Sequence, residues 1–432
     1  MNSSTEQERR RLERLDRRAL ALHQLDRLDR LLKAILPGNR FYAEKLAGCP
    51  AQLSSLDQLA TLPLTDKDEL AAAVRDDLPG NLTYGVDQYV RYHQTSGTRG
   101  APMPVLDTAA DWQWFIDAWQ YVLDAAEVTA ADRAFLAFSF GPFIGFWSAH
   151  DALIDRGVMV ISGGGADTLG RLERLAQSRA TVLLSTPTYA LHLAQVAADR
   201  GIDLRSGFVR RIIVAGEPGG SVRATRERIE AAWDARLIDH AGASEIGPWG
   251  YADAAQRGLY VTESEFIAEF LPIEAGLSVE TGGAAGEGEL AELVLTTLGR
   301  QGAPVIRYRT GDLVRPVWKH DGPVRFVLLE GGVLGRADDM MIIRGVNIFP
   351  SSIEQIVRSF PEIDEFRLTA TRVGEMDQLA IEIEDRLDQP ERLAAALHAL
   401  LGLKVDVCTA PLGSLPRAEG KSRRFVDRRG LD

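Results

Sequence analysis

The first regular pattern along the chain is a series of leucines with helical spacing. Six of them recur at intervals of three, four or seven residues: Leu12, Leu15, Leu22, Leu25, Leu28 and Leu32. This period predicts a single amphipathic helix over residues 5–36, ended by Pro37-Gly38. Its apolar face would pack on its own domain or on a second copy of the chain, so a homodimer is an open alternative. Farther on, Thr65 is expected to cap a short helix.

Short apolar runs alternate with amphipathic stretches over residues 158–214. The predicted strands are 158–161, 182–185 and 211–214, and the predicted helices are 168–178 and 189–199. This βαβ pattern predicts an α/β fold with a largely parallel sheet and helices on both of its faces. Residues 258–298 are then predicted to form an antiparallel β region.

Aromatic side chains are concentrated upstream of this alternation. The pattern predicts a helix over residues 108–126, and a second aromatic series over 135–147 is interrupted by Gly141 and Gly145. An aromatic stripe usually belongs to the core. In the second series, however, the glycines and Ser139 favour a strand–turn–helix lip.

Composition and charge narrow the classes of protein. A chain of 432 residues predicts two or more domains, and a net charge of −12 argues against a nucleic-acid-binding surface. Cys49 and Cys408 are too far apart in sequence for a CxxC site and indicate a reducing cytoplasm. The charged N-terminal segment contains no apolar signal, and the longest uncharged run, 134–149, is too short for a membrane span. We therefore expect a cytoplasmic protein with neither nucleic-acid nor membrane partners.

A loop rich in glycine and hydroxyl side chains lies between predicted strands at 89–93 and 104–106. Its candidate anion-binding residues are Thr95, Ser96, Gly97, Thr98, Arg99 and Gly100. The glycines allow successive amide groups to turn inward around an anion, and the hydroxyls and Arg99 suit phosphate. It is not a Walker loop, because no Gly-Lys-Ser/Thr follows and no helix opens behind it. A plain surface turn is the alternative.

The run Leu-Ile-Asp-His-Ala-Gly-Ala-Ser-Glu-Ile-Gly at 237–247 ends a predicted strand at a glycine-containing turn. Glu245 is a hard oxygen ligand that suits Mg²⁺, and Ser244 could contact a phosphate. The alternative interpretation of Ser-Glu after glycine is a helix cap.

Three later motifs carry further polar groups. In Pro-Val-Ile-Arg-Tyr-Arg-Thr-Gly-Asp-Leu at 304–313, Asp312 follows a strand and a glycine and can accept both hydroxyls of a ribose. Residues 334–350 combine glycine turns with an acidic pair, a pattern typical of a hinge. Near the C-terminus, Lys421 follows a glycine in a loop rich in proline and arginine. Taken alone, such a loop is usually a solvated basic tail.

In this order the motifs resemble those of the adenylate-forming superfamily, which includes acyl-CoA synthetases, peptide-synthetase adenylation domains and luciferases. The resemblance covers residues 39–424. Three details favour the phenylacetate-CoA ligase branch: the Arg-Tyr-Arg before Thr-Gly-Asp, the Gly-Val-Asn-Ile-Phe-Pro at 345–350, and Met103 where other branches have a lysine.

The resemblance implies two domains and two half-reactions. The large N-terminal domain, 1–335, would contain a helical extension at 1–36, mixed and parallel sheets flanked by helices, and a β-barrel-like part. Residues 336–432 would form a small, mobile α+β lid. The carboxylate of a small acid would attack the α-phosphorus of Mg²⁺-bound ATP, giving an acyl-adenylate and pyrophosphate. A thiol, normally that of CoA, would then displace AMP, so ATP, Mg²⁺ and CoA are the expected cofactors.

The resemblance also implies catalytic roles. Lys421 would bridge the attacking carboxylate and the α-phosphate, Glu245 would hold the metal and Ser244 would contact phosphate. The loop at 95–100 would hold the β- and γ-phosphates, and Asp312 would bind the ribose.

Further roles concern the hinge and the thiol site. Arg336 would lie near the ribose, and Asp338 would be the hinge about which the lid turns. Arg344 and Gly345 would face the thioester site after that turn.

Two binding surfaces complete the implied site. The nucleotide surface comprises Gly216, Glu217, Pro218, Asp239, His240 and Ala241. The acid pocket comprises Phe138, Phe140, Gly141, Phe146, Ala243 and Gly247. Ala241 stands where the family usually has an aromatic residue, so His240 or another ring would have to cover the adenine. Residues 248–253 contain no cysteine where some relatives have a zinc cluster, and we expect no zinc.

The sequence leaves the acceptor and the acid open. CoA, a carrier protein, an amine, or nitrite in the diazotisation of an arylamine are alternative acceptors. A catalytically silent nucleotide sensor is a further alternative, against which Glu245, Asp312 and Lys421 argue. The aromatic density favours an aryl or arylalkyl acid.

Overall fold

A computed structural model describes most of the chain. The described ranges are 5–50, 52–95, 102–142, 144–274, 277–278, 283–320, 322–337, 341–343, 346–348, 350–373, 376–401, 405–416 and 424–429.

Within these ranges the helices are α1 Glu6–Glu13, α2 Arg17–Ile35, α3 Arg40–Lys45, α4 Lys67–Ala72, α5 Ala109–Ala125, α6 Ile144–Asp155, α7 Thr168–Gln177, α8 Pro187–Asp199, α9 Arg223–Trp233, α10 Pro350–Arg358 and α11 Pro390–Leu401. Short 3₁₀ turns occupy Leu56–Thr61 and Val86–Gln88.

The strands are β1 Tyr89–Gln94, β2 Pro104–Thr108, β3 Arg133–Leu136, β4 Met159–Ser162, β5 Val182–Ser185, β6 Arg211–Val214, β7 Arg236–Ala243, β8 Gly247–Tyr251, β9 Gly258–Val261, β10 Phe266–Glu274, β11 Leu277–Ser278, β12 Ala291–Thr297, β13 Tyr308–Val314, β14 Pro316–Val317, β15 Leu328–Glu330, β16 Gly335–Arg336, β17 Met341–Ile343, β18 Val346–Ile348, β19 Ile363–Val373, β20 Met376–Asp385, β21 Asp406–Thr409 and β22 Phe425–Asp427.

The N-terminal segment forms two helices, so the predicted single helix over residues 5–36 is wrong. The side chain of Asp16 accepts a hydrogen bond from the amide of Ala19 and caps the start of α2. This local cap starts a new helix, so the helical structure is interrupted although the leucine period in the sequence continues. The apolar face of α2 is buried within the same chain, and Arg9 of α1 pairs with Asp124 of α5 at 2.7 Å. Both helices therefore pack on their own domain.

The start of α4 also differs from the prediction. Asp66 is the N-cap and forms a capping box with Glu69. Thr65, the predicted cap, is buried instead, and its hydroxyl donates to the carbonyl of Ile306 at 2.7 Å. The shift places Lys67 in the first turn of α4, with its side chain on the protein surface.

A nine-stranded sheet has the order β14-β15-β9-β8-β7-β6-β5-β3-β4. Its half from β4 to β7 is parallel and its half from β7 to β14 is antiparallel, which confirms the predicted mixed α/β architecture. Neighbouring residues of β5 face opposite layers, because Leu183 packs with α7, α8 and α9 while Leu184 packs with α5. Helices therefore cover both faces of the parallel half.

Two smaller sheets adjoin it. An antiparallel sheet has the order β11-β10-β12-β13-β16, and β1 pairs with β2 in a two-stranded ribbon. In that ribbon Gln94 lies opposite Pro104, so the phosphate-loop segment joins its two strands. The helix predicted over residues 108–126 is α5, for which Thr108 provides the N-cap and Ala126 the C-cap.

The C-terminal part forms a separate layer of β and α structure. Its sheet has the order β21-β20-β19-β22, and Ile353, Leu368, Ile381 and Leu397 belong to its own hydrophobic core. The boundary at 335/336 stays a prediction. Among the helices of the described ranges, none combines the length and apolarity needed to cross a bilayer.

Candidate active site

The predicted phosphate loop begins at the open end of the β1–β2 ribbon. The amide of Thr95 donates to the carbonyl of Met103, and the amide of Met103 donates to the Thr95 hydroxyl, both at 2.9 Å. This reciprocal pair closes the base of the loop. The remaining loop residues lie outside the described residues: Ser96, Gly97, Thr98, Arg99 and Gly100.

Ser244 and Glu245 lie in the turn between β7 and β8, not in a helix cap. Gly247, which follows them, has φ +114°, and an added Cβ would come within 3.4 Å of the rings of Trp114 and Phe115. The turn therefore lies close against α5, and a side chain at this position would disturb it. Glu245 is 8% exposed, and its Oε1 is 2.7 Å from Nζ of Lys67.

The Glu245 carboxylate is the type of ligand that Mg²⁺ takes in a nucleotide site. The ammonium group of Lys67 already forms an ion pair with it, so a cation can be placed against its oxygens. Within the described ranges, no group of three or more His, Cys, Asp or Glu side chains could hold a metal. A lone carboxylate suits Mg²⁺ that is bound mainly through substrate phosphates and water.

A buried arginine lies beneath this turn, and the sequence-based site did not include it. Nη1 of Arg300 donates to the carbonyl oxygens of Ser244 at 3.2 Å and Glu245 at 2.7 Å. Nε of Arg300 donates to Asp107 at 2.8 Å. A signal was available, because Arg300 is the lone charged residue of the segment 293–306. A single charge in such a segment indicates a buried group with partners.

Asp239 lies at the carboxyl end of the parallel strands, where nucleotides bind in such sheets. Its carboxylate accepts a hydrogen bond from the hydroxyl of Ser221 at 2.5 Å. Burial raises the pKa of Asp239 to about 6, because the charged form is poorly solvated there.

His240 follows Asp239 on β7 and is directed into the core. Its Nδ1 is 2.8 Å from the carbonyl oxygen of Gly250, and its ring centroid is 4.2 Å from that of Trp119. Burial lowers the pKa of His240 to about 4, so the ring is neutral and Nδ1 is the donor. These contacts weigh against His240 as the ring that covers adenine beside Ala241.

Glu217 lies in the turn after β6, with Gly216 and Pro218. Its Oε1 accepts the amide of Thr188 at 2.7 Å, and burial raises the pKa of its carboxyl. The hydroxyl of Thr188 is in turn 3.4 Å from the guanidinium of Arg424, in the C-terminal part. This contact places Arg424, three residues after Lys421 in the sequence, next to the predicted nucleotide surface.

Asp312 and Arg336 lie opposite each other on β13 and β16. Nη1 of Arg336 is 3.1 Å from Oδ1 of Asp312. Gly311 has φ +72°, and an added Cβ would lie 2.9 Å from Nη2 of Arg336. The structure thus brings together the predicted ribose acceptor and its predicted neighbour.

The three phenylalanines of the candidate acid pocket belong to two aromatic pairs, here called the aromatic cluster. The rings of Phe138 and Phe146 stack with centroids 3.6 Å apart, and those of Phe140 and Trp147 are 4.7 Å apart. The carbonyl of Gly141 accepts a hydrogen bond from the Trp147 indole at 3.0 Å. Ala243 ends β7 and packs against the main hydrophobic core, and Gly247 begins β8 beyond the Ser244–Glu245 turn.

The tryptophans of α5 instead belong to the core. Each has its indole N–H bonded to a partly or fully buried group: Trp112 to Asp151, Trp114 to Glu265 and Trp119 to Ser148. Besides the five loop residues named above, four predicted site residues lie outside the described residues: Asp338, Arg344, Gly345 and Lys421.

Comparison with known proteins gives consistent matches. Residues 345–429 match the family model described as the AMP-binding enzyme C-terminal domain. A phenylacetate-coenzyme A ligase of Pseudomonas putida is 31% identical over 95% of this chain and 94% of its own length. One of Escherichia coli strain K12 is 30% identical over 88% of each chain.

Among solved structures, 2-hydroxyisobutyryl-CoA ligase has the same fold in two states. In the postadenylation state, with an adenylate bound, it matches with a TM-score of 0.90 at 24% identity, over 98% of this chain and 92% of that one. In the thioesterification state, with CoA bound, the TM-score is 0.72, over 99% and 94%.

Proposed function

The chain belongs to the phenylacetate-coenzyme A ligase family of adenylate-forming enzymes, and we propose that its substrate is an aryl or arylalkyl acid. The protein is an AMP-forming acid–thiol ligase. It uses ATP to convert a carboxylic acid to an acyl-adenylate with release of pyrophosphate, and then forms the CoA thioester with release of AMP. Neither a different acceptor (a carrier protein, an amine or nitrite) nor the role of a catalytically silent sensor is therefore needed to explain the similarity to CoA ligases.

The stacked pair of Phe138 and Phe146 is the observation that carries the proposal for an aromatic acid. Flat rings pack favourably against the faces and edges of other rings. Phe140 and Trp147 extend the aromatic surface. Ala243, the remaining small residue of the predicted pocket, ends β7 immediately before the turn that carries Glu245. An aryl acid bound here would direct its carboxylate toward the predicted phosphate site.

We propose that the nucleotide binds along the ends of β6, β7 and β13. Asp312, next to Arg336, would accept the ribose hydroxyls, and Thr95 with the rest of its loop would hold the phosphates. Glu245 would hold Mg²⁺, which when bound neutralises phosphate charge. Lys67, whose Nζ is 2.7 Å from Glu245 Oε1, would be the group that the metal displaces.

We propose that the described arrangement of the lid is the one used for adenylation. The higher TM-score to the postadenylation state than to the thioesterification state supports this interpretation. So does the contact between Arg424 and Thr188, because Lys421 lies three residues before Arg424. Turning about Asp338 would then bring Arg344 and Gly345 to the thioester site.

We propose a cytoplasmic location, which the two unpaired cysteines, Cys49 and Cys408, support.

The experiment that tests the substrate is pyrophosphate release from ATP with a panel of carboxylic acids, including benzoate, phenylacetate, cinnamate and straight-chain acids of similar length. We expect the aryl and arylalkyl acids to give the highest kcat/KM, with turnover that depends on CoA. A preference for the straight-chain acids would contradict the proposal for an aromatic acid. Release driven by nitrite without CoA would contradict the ligase function itself.

A further inference from the structure

We propose that Arg300 is a positioning residue for the first half-reaction. Together with Asp107 it holds the Ser244–Glu245 turn in a fixed relation to the phosphate loop. This inference depends on the proposed role of Glu245 as the metal ligand.

The guanidinium fixes the turn through its backbone. Nη1 of Arg300 donates to two successive carbonyl oxygens, those of Ser244 at 3.2 Å and Glu245 at 2.7 Å. Two contacts on neighbouring peptide groups set the orientation of the backbone from which the Glu245 side chain leaves. The direction of the carboxylate is therefore determined in part from below, by a residue that does not contact the nucleotide.

The same guanidinium is anchored to the strand that leads out of the phosphate loop. Its Nε donates to Oδ1 of Asp107 at 2.8 Å, and its Nη2 lies 2.7 Å from the same oxygen. Asp107 belongs to β2, and Met103, just before β2, bonds to Thr95 at the base of the loop. One rigid connection thus links the two segments that would have to hold the same triphosphate.

The segment carrying Arg300 is itself held in place. The amides of Gln301 and Gly302 donate to the carboxylate of Asp111 at 2.7 and 3.1 Å. The guanidinium also lies 5.2 Å from the centre of the Phe115 ring. Arg300 and Asp107 are 1% and 0% exposed. If either group lost its partner, water could not solvate the remaining charge without a rearrangement of the structure. These constraints leave the arginine little freedom to move.

A buried ion pair with a purely structural role is the simpler explanation, and the test has to separate the two. A structural pair would affect folding stability and both half-reactions together. A positioning pair would affect ATP binding and adenylation, but not thioester formation from an acyl-adenylate supplied ready-made, which needs neither the metal nor the β- and γ-phosphates.

The test compares Arg300→Met and Arg300→Lys with the wild type. Isothermal titration calorimetry measures ATP affinity with Mg²⁺ and with a chelator, and a stopped assay measures thioester formation from synthetic acyl-adenylate. We expect Arg300→Met to lose roughly 10- to 100-fold of the Mg²⁺-dependent ATP affinity, the range seen when groups behind a metal ligand are removed. Thioester formation should stay unchanged. Arg300→Lys should restore part of the affinity, since its charge can still reach Asp107.

The matched control is Arg9→Met. Arg9 also forms a buried bidentate pair, with Asp124 at 2.7 and 3.0 Å, but does not contact the site. Arg9→Met should lower the melting temperature and leave the Mg²⁺ dependence of ATP binding as in the wild type. The inference is overturned if Arg300→Met behaves like Arg9→Met, or if the rates of both half-reactions fall together. If Arg300→Met does not fold, the same comparison is made with Arg300→Lys.

Glu245→Gln separates failure of this inference from failure of the proposed function. If Glu245→Gln keeps the Mg²⁺-dependent ATP affinity, the proposed metal role is wrong whatever Arg300 does. If Glu245→Gln loses that affinity while the Arg300 variants keep it, the metal role stands and the positioning role of Arg300 is wrong.

Discussion

At the scale of single residues, the site is built around carboxylates that are nearly buried and need a partner. Glu245 has Lys67 at 2.7 Å, Asp107 has Arg300, and Asp239 has the hydroxyl of Ser221. A buried carboxylate without a partner is strongly destabilising, because its charge loses the solvation of water. Each partner therefore offsets part of the cost of burying its carboxylate.

Replacing Lys67 with methionine should expose this arrangement. Without the ammonium group, Glu245 is a nearly buried, unpaired carboxylate in the nucleotide-free protein, so the melting temperature should fall. Because the Lys67 side chain is half exposed, we expect a loss of only about 1 kcal/mol. The stabilisation produced by MgATP should increase in a thermal-shift assay, while Lys67→Arg should behave like the wild type. An unchanged or smaller MgATP shift in Lys67→Met would contradict this account of Glu245.

The raised pKa of Asp239 predicts a pH dependence of stability. In the unfolded chain the carboxyl titrates near its ordinary value of about 4, and in the folded protein near 6. Between these values the folded state binds the extra proton, so the contribution of Asp239 to stability is greatest below about pH 4 and is lost as the pH rises to about 6. A difference of about 2 in pKa corresponds to about 3 kcal/mol.

Asp239→Asn removes this titration, and thermal unfolding at several pH values measures the result. The variant should lose less stability than the wild type as the pH rises from about 4 to about 6. A wild-type slope in Asp239→Asn would show that other carboxyl groups cause the dependence.

At the scale of elements, local signals and long-range contacts contributed differently to what could be predicted. The caps of α5 and the strands β5 and β6 follow from patterns within a few residues, and their predicted bounds were accurate. The break at Asp16 was missed, because both α1 and α2 continue the same leucine period on the same core.

The missed part of the site depends on contacts between distant segments. Arg300 lies 193 residues from Asp107 and 55 residues from Glu245, so no local pattern could identify its partners. Glu245 and Asp312, by contrast, could be proposed from their own motifs. Glu245 stands at the predicted glycine-containing turn after a strand, whereas Asp312, predicted to follow a strand, lies within β13 after Gly311.

The aromatic cluster allows a test of the acid pocket. Phe146→Ala removes one ring of the stacked pair and should raise KM for an aryl acid by roughly tenfold, with KM for ATP unchanged. Phe208→Ala is a suitable control, because Phe208 is an exposed phenylalanine outside the cluster. If KM for ATP and the acid rise together in Phe146→Ala, the ring supports the fold and does not line the pocket.

At the scale of the whole molecule, we propose that the C-terminal part takes a different position in each half-reaction. The contact of Arg424 with Thr188 joins the two parts next to Glu217 in the described arrangement. We expect this contact to break when the lid turns, so it should stabilise only the arrangement used for adenylation.

Lys421→Ala tests the division of labour between the half-reactions. A cation placed between two negative groups is worth most during the attack on the α-phosphorus, so adenylation should slow by roughly 100- to 1,000-fold. Thioester formation from supplied acyl-adenylate should be much less affected. Lys33→Ala, which changes an exposed lysine of α2, serves as the control. Equal losses in both half-reactions would refute the assigned role of Lys421.

The central claim is that the protein couples an aryl or arylalkyl acid to CoA through an adenylate. Mass spectrometry of a reaction containing phenylacetate, ATP, Mg²⁺ and CoA tests it most directly. We expect an arylacyl-CoA thioester together with equal amounts of AMP and pyrophosphate, and an acyl-adenylate when CoA is omitted. Formation of ADP and phosphate, or an adenylate that persists unchanged in the presence of CoA, would contradict it.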